Sequence, residues 1–259
     1  MSVGTTHVIG VDDNRGVKLT VTLVLAVAAL AAAPLAAAAR GPHGGCVAGA
    51  ERHVGSPTAS YAALARASVE AYRQPGRSPF VDFPHVNVNG YQTTFNIVGA
   101  ITTRACDPTW YRVQLPIRPN GVTGYVRARD VDVVEVRTRI EVDLSRRTLI
   151  LWRAGRKVLE TRVGIGTPAT PTPVGRFYVS QRLVPADPSG PYGPAALGVS
   201  AYSPVLTGWV QGGPIGIHGT DKPWLLGRAV SNGCIRVENA VIERLFAATP
   251  GGTPVVIHP

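Results

Sequence analysis

IEVDLSRRTLILW, residues Ile140–Trp152, is the stretch that decides the fold. Ile140, Val142 and Leu144 alternate with Glu141, Asp143 and Ser145, so one face of an extended chain is apolar and the other polar. Leu149–Trp152 follows, then the turn Arg153-Ala-Gly155, then Val158–Val163, which together read as a β-hairpin. A proline-rich connection, Thr167–Pro173, leads to a strand at Arg176–Val179, and Thr253–His258 reads as a closing strand. Glu238–Ala247 is the one clear helix: Val241, Ile242, Leu245 and Phe246 form its apolar stripe and Pro250-Gly251 stops it. Ala186–Gly213 is long and rich in Pro, Gly and Ser, and reads as an irregular segment of the kind that forms a lid or is disordered.

Upstream, Val86–Val88, Thr94–Val98 and Trp110–Leu115 are short apolar runs separated by Asn89-Gly90, Pro119-Asn120-Gly121 and Gly124. That is the pattern of a small all-β barrel. Tyr61–Tyr72 has helical alanine content, but Ser68–Tyr72 reads better as a strand because Gln74-Pro-Gly76 ends it abruptly. Thr138–Arg139 marks the boundary. The expected organisation is 1–39 a signal peptide, 40–59 a flexible linker, 60–137 a small β-barrel domain and 138–259 a catalytic domain, mainly β with one or two short helices.

The chemistry is concentrated in Ser231-Asn-Gly-Cys-Ile-Arg-Val237 and in His218-Gly-Thr220. A thiol nucleophile needs exposure, a base, and backbone N–H groups free to face an oxyanion. Cys234 is the candidate nucleophile and His218 the candidate base. Gly233 lets the N–H groups of Gly233 and Cys234 approach a carbonyl. Arg236 either anchors a substrate carboxylate, braces the cysteine turn or sits in a structural salt bridge. Ser231, Asn232 and Thr220 line the same turns. A free thiol is only about 3% thiolate at pH 7, and lowering its pKa also weakens the nucleophile, so positioning and oxyanion stabilisation must supply more of the rate.

IGIHGT and SNGCIRV resemble the catalytic signature of the L,D-transpeptidase (YkuD-type) family. The resemblance extends to IEVDLSRRTLILW and to GTPATPTPVGRFYV at Gly166–Val179. It implies a YkuD-type β-sandwich, with the Gly219 carbonyl orienting His218 and peptidoglycan stem peptides as substrate. Cys234 would attack the third stem residue, release D-alanine and form a thioester. A second stem's amine would resolve it as a 3→3 cross-link. Carbapenem-type inhibitors would acylate the same cysteine, and no cofactor or metal is implied. The family often has His where this chain has Asn232, so His218 alone must serve as base. Trp110–Val131 resembles the bacterial SH3-like barrels found beside cell-wall enzymes. A carboxypeptidase on the same substrate, a sortase-like transpeptidase and a non-catalytic wall-binding protein are the rival readings. The sortase Thr-Leu-x-Thr-Cys strand is absent.

The 259 residues carry 26 Lys+Arg against 16 Asp+Glu, a net charge of +10. The basic residues are spread from Arg40 to Arg244 with no basic run and no nucleic-acid motif, so the charge reads either as an attraction to anionic cell-wall polymers or as an aid to solubility, rather than as nucleic-acid binding. Leu19–Leu35 is apolar, followed by small residues Ala36–Ala39, and reads as a secretory signal peptide for export to the periplasm or cell wall. Initiation at Val17 would make Lys18 its basic n-region. Left uncleaved, Leu19–Ala39 is long enough for a membrane anchor. Of three cysteines, Cys46 and Cys106 are the expected disulfide, which leaves Cys234 reduced.

Overall fold

The computed structural model describes residues 46–209, 211 and 213–259. Leu19–Leu35, Val17 and the first part of the expected linker lie outside them. The described chain forms one compact unit with two hydrophobic cores.

The first core is wrapped by β1 (Glu51–His53), β2 (Ser60–Ala65), β3 (Val69–Tyr72), β4 (Pro79–Phe83), β5 (Thr94–Thr102), β6 (Pro108–Gln114), β7 (Thr123–Arg127) and β8 (Val131–Val136). The sheet order is β4-β3-β7-β6-β5-β2-β8, with β1 paired to β5. Ala63, Ala65, Val69, Phe95, Val113 and Val126 fill it. Three expectations change here. Tyr61–Ala65 is strand, because its small side chains let β2 fit between β5 and β8. Val86–Val88 is not a strand: Val86 makes a single bridge to Gln92, and the Asn87 carboxamide closes a tight turn by accepting from the Asn89 and Tyr91 N–H groups. The described part of the expected linker, 46–59, is tied down by β1 and by a Cys46–Cys106 disulfide with its Cα atoms 5.3 Å apart.

The second core belongs to β9 (Thr138–Asp143), β10 (Thr148–Arg153), β11 (Arg156–Arg162), β12 (Ile165–Gly166), β13 (Gly175–Leu183), β14 (Ala196–Tyr202), β15 (Pro214–His218), β16 (Ala229–Ser231), β17 (Ile235–Arg236), α1 (Asn239–Ala248) and β18 (Pro254–His258). The order is β11-β10-β9-β18-β13-β14-β15-β17. β13 pairs with β18 through Gly175–Tyr178 and with β14 from Val179 on, so the sheet turns over itself at this strand. Ile140, Val142 and Ile257 from one half meet Leu197, Ile217 and Ile235 from the other, with Ile242 and Leu245 of α1 closing the layer. This is a β-sandwich, and the fold is mainly β.

The expected lid Ala186–Gly213 is corrected. Its middle is β14, a buried strand between β13 and β15. Ala-Leu-Gly-Val-Ser-Ala-Tyr alternates large and small: Leu197, Val199 and Ala201 enter the core, while Ala196, Gly198 and Ser200 take the other face. The composition hid the strand because only its core face carries bulk. The seam with the first core is polar: Asn96 Nδ2 donates to Gly252 O at 3.2 Å, and Asn120 exchanges two bonds with the Tyr202 backbone.

Candidate active site

Core residues alternate along the sheet edge, so the residues between them share the opposite face. Ile215, Ile217, Ile235 and Val237 are buried in the core. Gly216, His218, Cys234 and Arg236 therefore face the other way. β15 and β17 are parallel, with Ile217 opposite Ile235 and His218 opposite Arg236. That register sets Cys234 beside Gly216, whose backbone makes a hydrogen bond to the thiol. The fold brings Cys234, His218 and Arg236 together from segments 16 residues apart through this pairing.

Cys234 is half-buried and is the one free cysteine. Burial pushes its thiol pKa up, while the Gly216 hydrogen bond and the Arg236 charge act in the opposite sense. His218 is only 3% exposed, and its pKa is pulled down to about 4 by burial; the Arg236 charge adds to this, and the Gly219 hydrogen bond opposes it. Its Nδ1 lies 2.6 Å from Gly219 O. A carbonyl only accepts, so Nδ1 carries the proton and Nε2 is left as the basic nitrogen. Burial of both groups favours neutral thiol and neutral imidazole over thiolate and imidazolium.

Arg236 has no carboxylate partner among the described residues, and its Nε is buried without a partner. The salt-bridge reading of this residue is thereby corrected. Its guanidinium is an uncompensated charge beside the thiol and the imidazole.

The cysteine turn is fixed by hydroxyls. Ser231 Oγ donates to Cys234 O at 2.6 Å and accepts from the Gly233 N–H at 3.2 Å. The expectation that the Gly233 N–H faces an oxyanion is therefore corrected, because Ser231 already holds it. The Cys234 N–H has no partner among the described residues. Gly233 has φ +111°, a conformation open to glycine, and a Cβ there would come 2.9 Å from Ile215 Cδ1. Asn232 is exposed at the tip of the turn. Thr220 is buried, and its Oγ1 accepts from Lys222 N, which shapes the loop after His218.

Four supporting residues escaped the sequence reading. Thr172 Oγ1 donates to Gly233 O and accepts from Gly166 N, both at 2.9 Å. Thr170 Oγ1 donates to Ser231 O at 3.0 Å. The threonines between the prolines of Thr167–Pro173 were the available signal. Asn239, the first residue of α1, accepts the Thr220 N–H at 2.8 Å and ties the histidine loop to the helix. Tyr192 stacks edge-on against His218 with ring centroids 4.9 Å apart, yet remains 55% exposed. Among the described residues no cluster of three or more His, Cys, Asp or Glu could hold a metal.

The sandwich thus carries a thiol, an imidazole and a guanidinium with no carboxylate partner among the described residues on one sheet face. Residues 137–257 match the family of the L,D-transpeptidase catalytic domain, YkuD. The domain they form belongs to that family. The YkuD protein of Bacillus licheniformis is 37% identical over 121 residues, which cover 47% of this chain and 66% of the relative. The YkuD protein of Bacillus subtilis strain 168 is 34% identical over 119 residues, covering 46% and 65%. The chain thus spans just under two thirds of either relative. The catalytic domain of an Enterococcus faecium L,D-transpeptidase, solved by NMR, is 30% identical over 46% of this chain and 95% of its own, with a TM-score of 0.35.

Proposed function

We propose that the protein is an exported, cysteine-dependent L,D-transpeptidase that joins peptidoglycan stems by 3→3 cross-links. The observation that carries this is the grouping of Cys234, His218 and unpaired Arg236 on one face of β15 and β17.

The resting protonation states fit a nucleophile activated only as it attacks. Cys234 Sγ attacks the carbonyl of the third stem residue while His218 Nε2 takes the thiol proton. The carbonyl oxygen becomes an oxyanion, for which the free Cys234 N–H is the available backbone donor. The intermediate collapses, the C–N bond breaks, and His218 returns its proton to the departing D-alanine amine. A thioester remains on Cys234. An amine of a second stem then attacks the thioester; His218 takes its proton, and the sulfur leaves as thiol. Arg236 suits a stem carboxylate. With the anion bound, the positive field that disfavours imidazolium is cancelled, and His218 becomes a better base once substrate is in place. Carbapenem-type acylation of Cys234 follows from the same chemistry.

The first domain, with its resemblance to SH3-like wall modules, and the excess of basic residues support residence at the cell wall. The apolar run Leu19–Leu35 supports export.

The test is incubation of the protein with disaccharide-tetrapeptide, read by mass spectrometry beside Cys234→Ala. D-alanine release with a Cys234-dependent dimer is expected. Release without dimer makes the acceptor water, and the protein a carboxypeptidase. No adduct and no turnover leaves only wall binding, and refutes the enzyme.

A further inference from the structure

The catalytic face is built of small residues between Cys234 and the first domain. Gly216 lies beside Cys234, Gly198 pairs with Gly216, and Gln181 pairs with Gly198. These four residues form one row across four strands, all on the face away from the core. Above Gly216 a Cβ would meet nothing closer than Leu197 O at 3.5 Å, so the floor there is open. At Gly198 a Cβ would come 2.4 Å from Gln181 Cγ, so the Gln181 side chain lies over that end of the row. Ala196, in the next row, adds only a methyl group. The result is a row of small residues running from the thiol to Gln181, whose side chain covers its far end.

The first domain closes the far end. The turn Asn87–Tyr91 reaches across, and the Asn87 and Asn89 side chains both donate Nδ2 to Gln181 Oε1, at 2.8 and 2.9 Å. With Oε1 doubly occupied, the amide is fixed in orientation, and Gln181 Nε2 is left with no protein partner among the described residues. A cavity of about 200 Å³ sits here, lined by Asn87, Val88, Asn89, Gln181, Tyr202 and Pro116 among others. Among the described residues no charged side chain lines it, in a chain with 26 Lys+Arg. Val88 is 84% exposed at its rim. Carboxamides beside apolar side chains suit an uncharged amide-bearing ligand, not a carboxylate or phosphate.

We infer that this cavity binds the acetamido sugar to which the stem peptide is attached. The span supports it. Three strand spacings of about 4.8 Å separate Cys234 from Gln181, roughly 14 Å. An extended chain covers about 3.4 Å per residue, so four units bridge that gap. The direction of the stem rests on the transpeptidase reading, which sets its third residue at Cys234. Two further residues and the linking acyl group then bring the sugar to the carboxamides. The first domain thereby becomes part of the donor site, with the Asn87–Tyr91 turn selecting glycan-linked stems over free peptide.

The experiment has two readouts. In Cys234→Ala protein, the side-chain amide NMR signals of Asn89 and Gln181 are followed during titration with disaccharide-tetrapeptide, with the disaccharide alone, and with free tetrapeptide. The first two are expected to shift both signals, and the third neither. In the active protein, kcat/KM for D-alanine release is expected to favour the disaccharide-tetrapeptide over the tetrapeptide by about 10-fold or more. Gln181→Leu and Val88→Asp should each bring that ratio towards one. Val88→Asp, at an exposed tip, keeps the test valid if the buried-edge variant fails to fold. A ratio near one in the unaltered protein, with no amide shifts, overturns the inference while D-alanine release preserves the enzyme. Variants that lower both donors equally overturn it too, since a purely structural role does that. Amide shifts from the disaccharide without any turnover leave the glycan site standing and refute the transpeptidase.

Discussion

Burying His218 uncharged makes the stability of this protein pH-dependent in a way that one substitution removes. The folded imidazole has a pKa near 4, against 6.5 in the unfolded chain. As pH falls below 6.5 the unfolded chain takes up a proton that the folded site refuses. The contribution of His218 is therefore fully favourable above pH 6.5 and is lost progressively as pH falls towards 4. With those two pKa values, linkage gives a loss of about 2 kcal/mol between pH 7 and pH 5. The perturbation is His218→Asn, whose Nδ2 can still donate to Gly219 O, the bond His218 makes at 2.6 Å. The assay is urea unfolding at pH 7 and at pH 5 for both proteins, with m values compared. Asp143, held below the usual carboxylate range by the Arg146 N–H and the Ser145 hydroxyl, titrates in both and cancels in the difference. The unaltered protein should lose about 2 kcal/mol more than the variant over that interval. Equal losses would refute the reasoning, because His218 would then be protonated in the folded site.

Thr172→Val keeps the shape but removes a hydroxyl that satisfies both Gly166 N–H and Gly233 C=O, so stability should fall by about 3 kcal/mol. Urea midpoints measure this, and a loss under about 0.5 kcal/mol would mean the turn finds other partners. Asn239→Ala should slow D-alanine release from disaccharide-tetrapeptide and lower stability to urea by roughly 1 kcal/mol, since the Thr220 N–H loses its acceptor; Asn239→Asp, which keeps an acceptor, should restore both. The paired change Cys46→Ser and Cys106→Ser opens a loop with a sequence separation of 60, a loss of about 4 kcal/mol in the chain-entropy treatment. An unchanged urea midpoint would show that β1 holds the segment without the disulfide.

Alternation at Ile140–Leu144 and the hairpin after it made the sandwich legible, because a strand with one buried face must repeat every two residues. The helix was legible for the corresponding reason, an apolar stripe ended by Pro250-Gly251. Cys234 and His218 stood out because their glycine-flanked turns are specific in sequence. β14 did not, since Ala196, Gly198 and Ser200 read as loop composition until β13 and β15 are seen on either side. The Asn87 turn read as a strand because one residue type, valine, outweighed side-chain capping that periodicity does not register.

What the sequence by itself determined is the set of reactive groups and the local pattern that makes each segment strand, turn or helix. What only the tertiary structure decided is their relation: the Ile217–Ile235 register that sets thiol and imidazole on one face, the burial that favours the neutral form of both, the absence of an acid beside Arg236 among the described residues, and the Ser231 bond that occupies the Gly233 N–H. Those properties depend on distances between segments far apart in the chain. Electrostatics and hydrogen bonding act through space, so no local reading of residues can supply them.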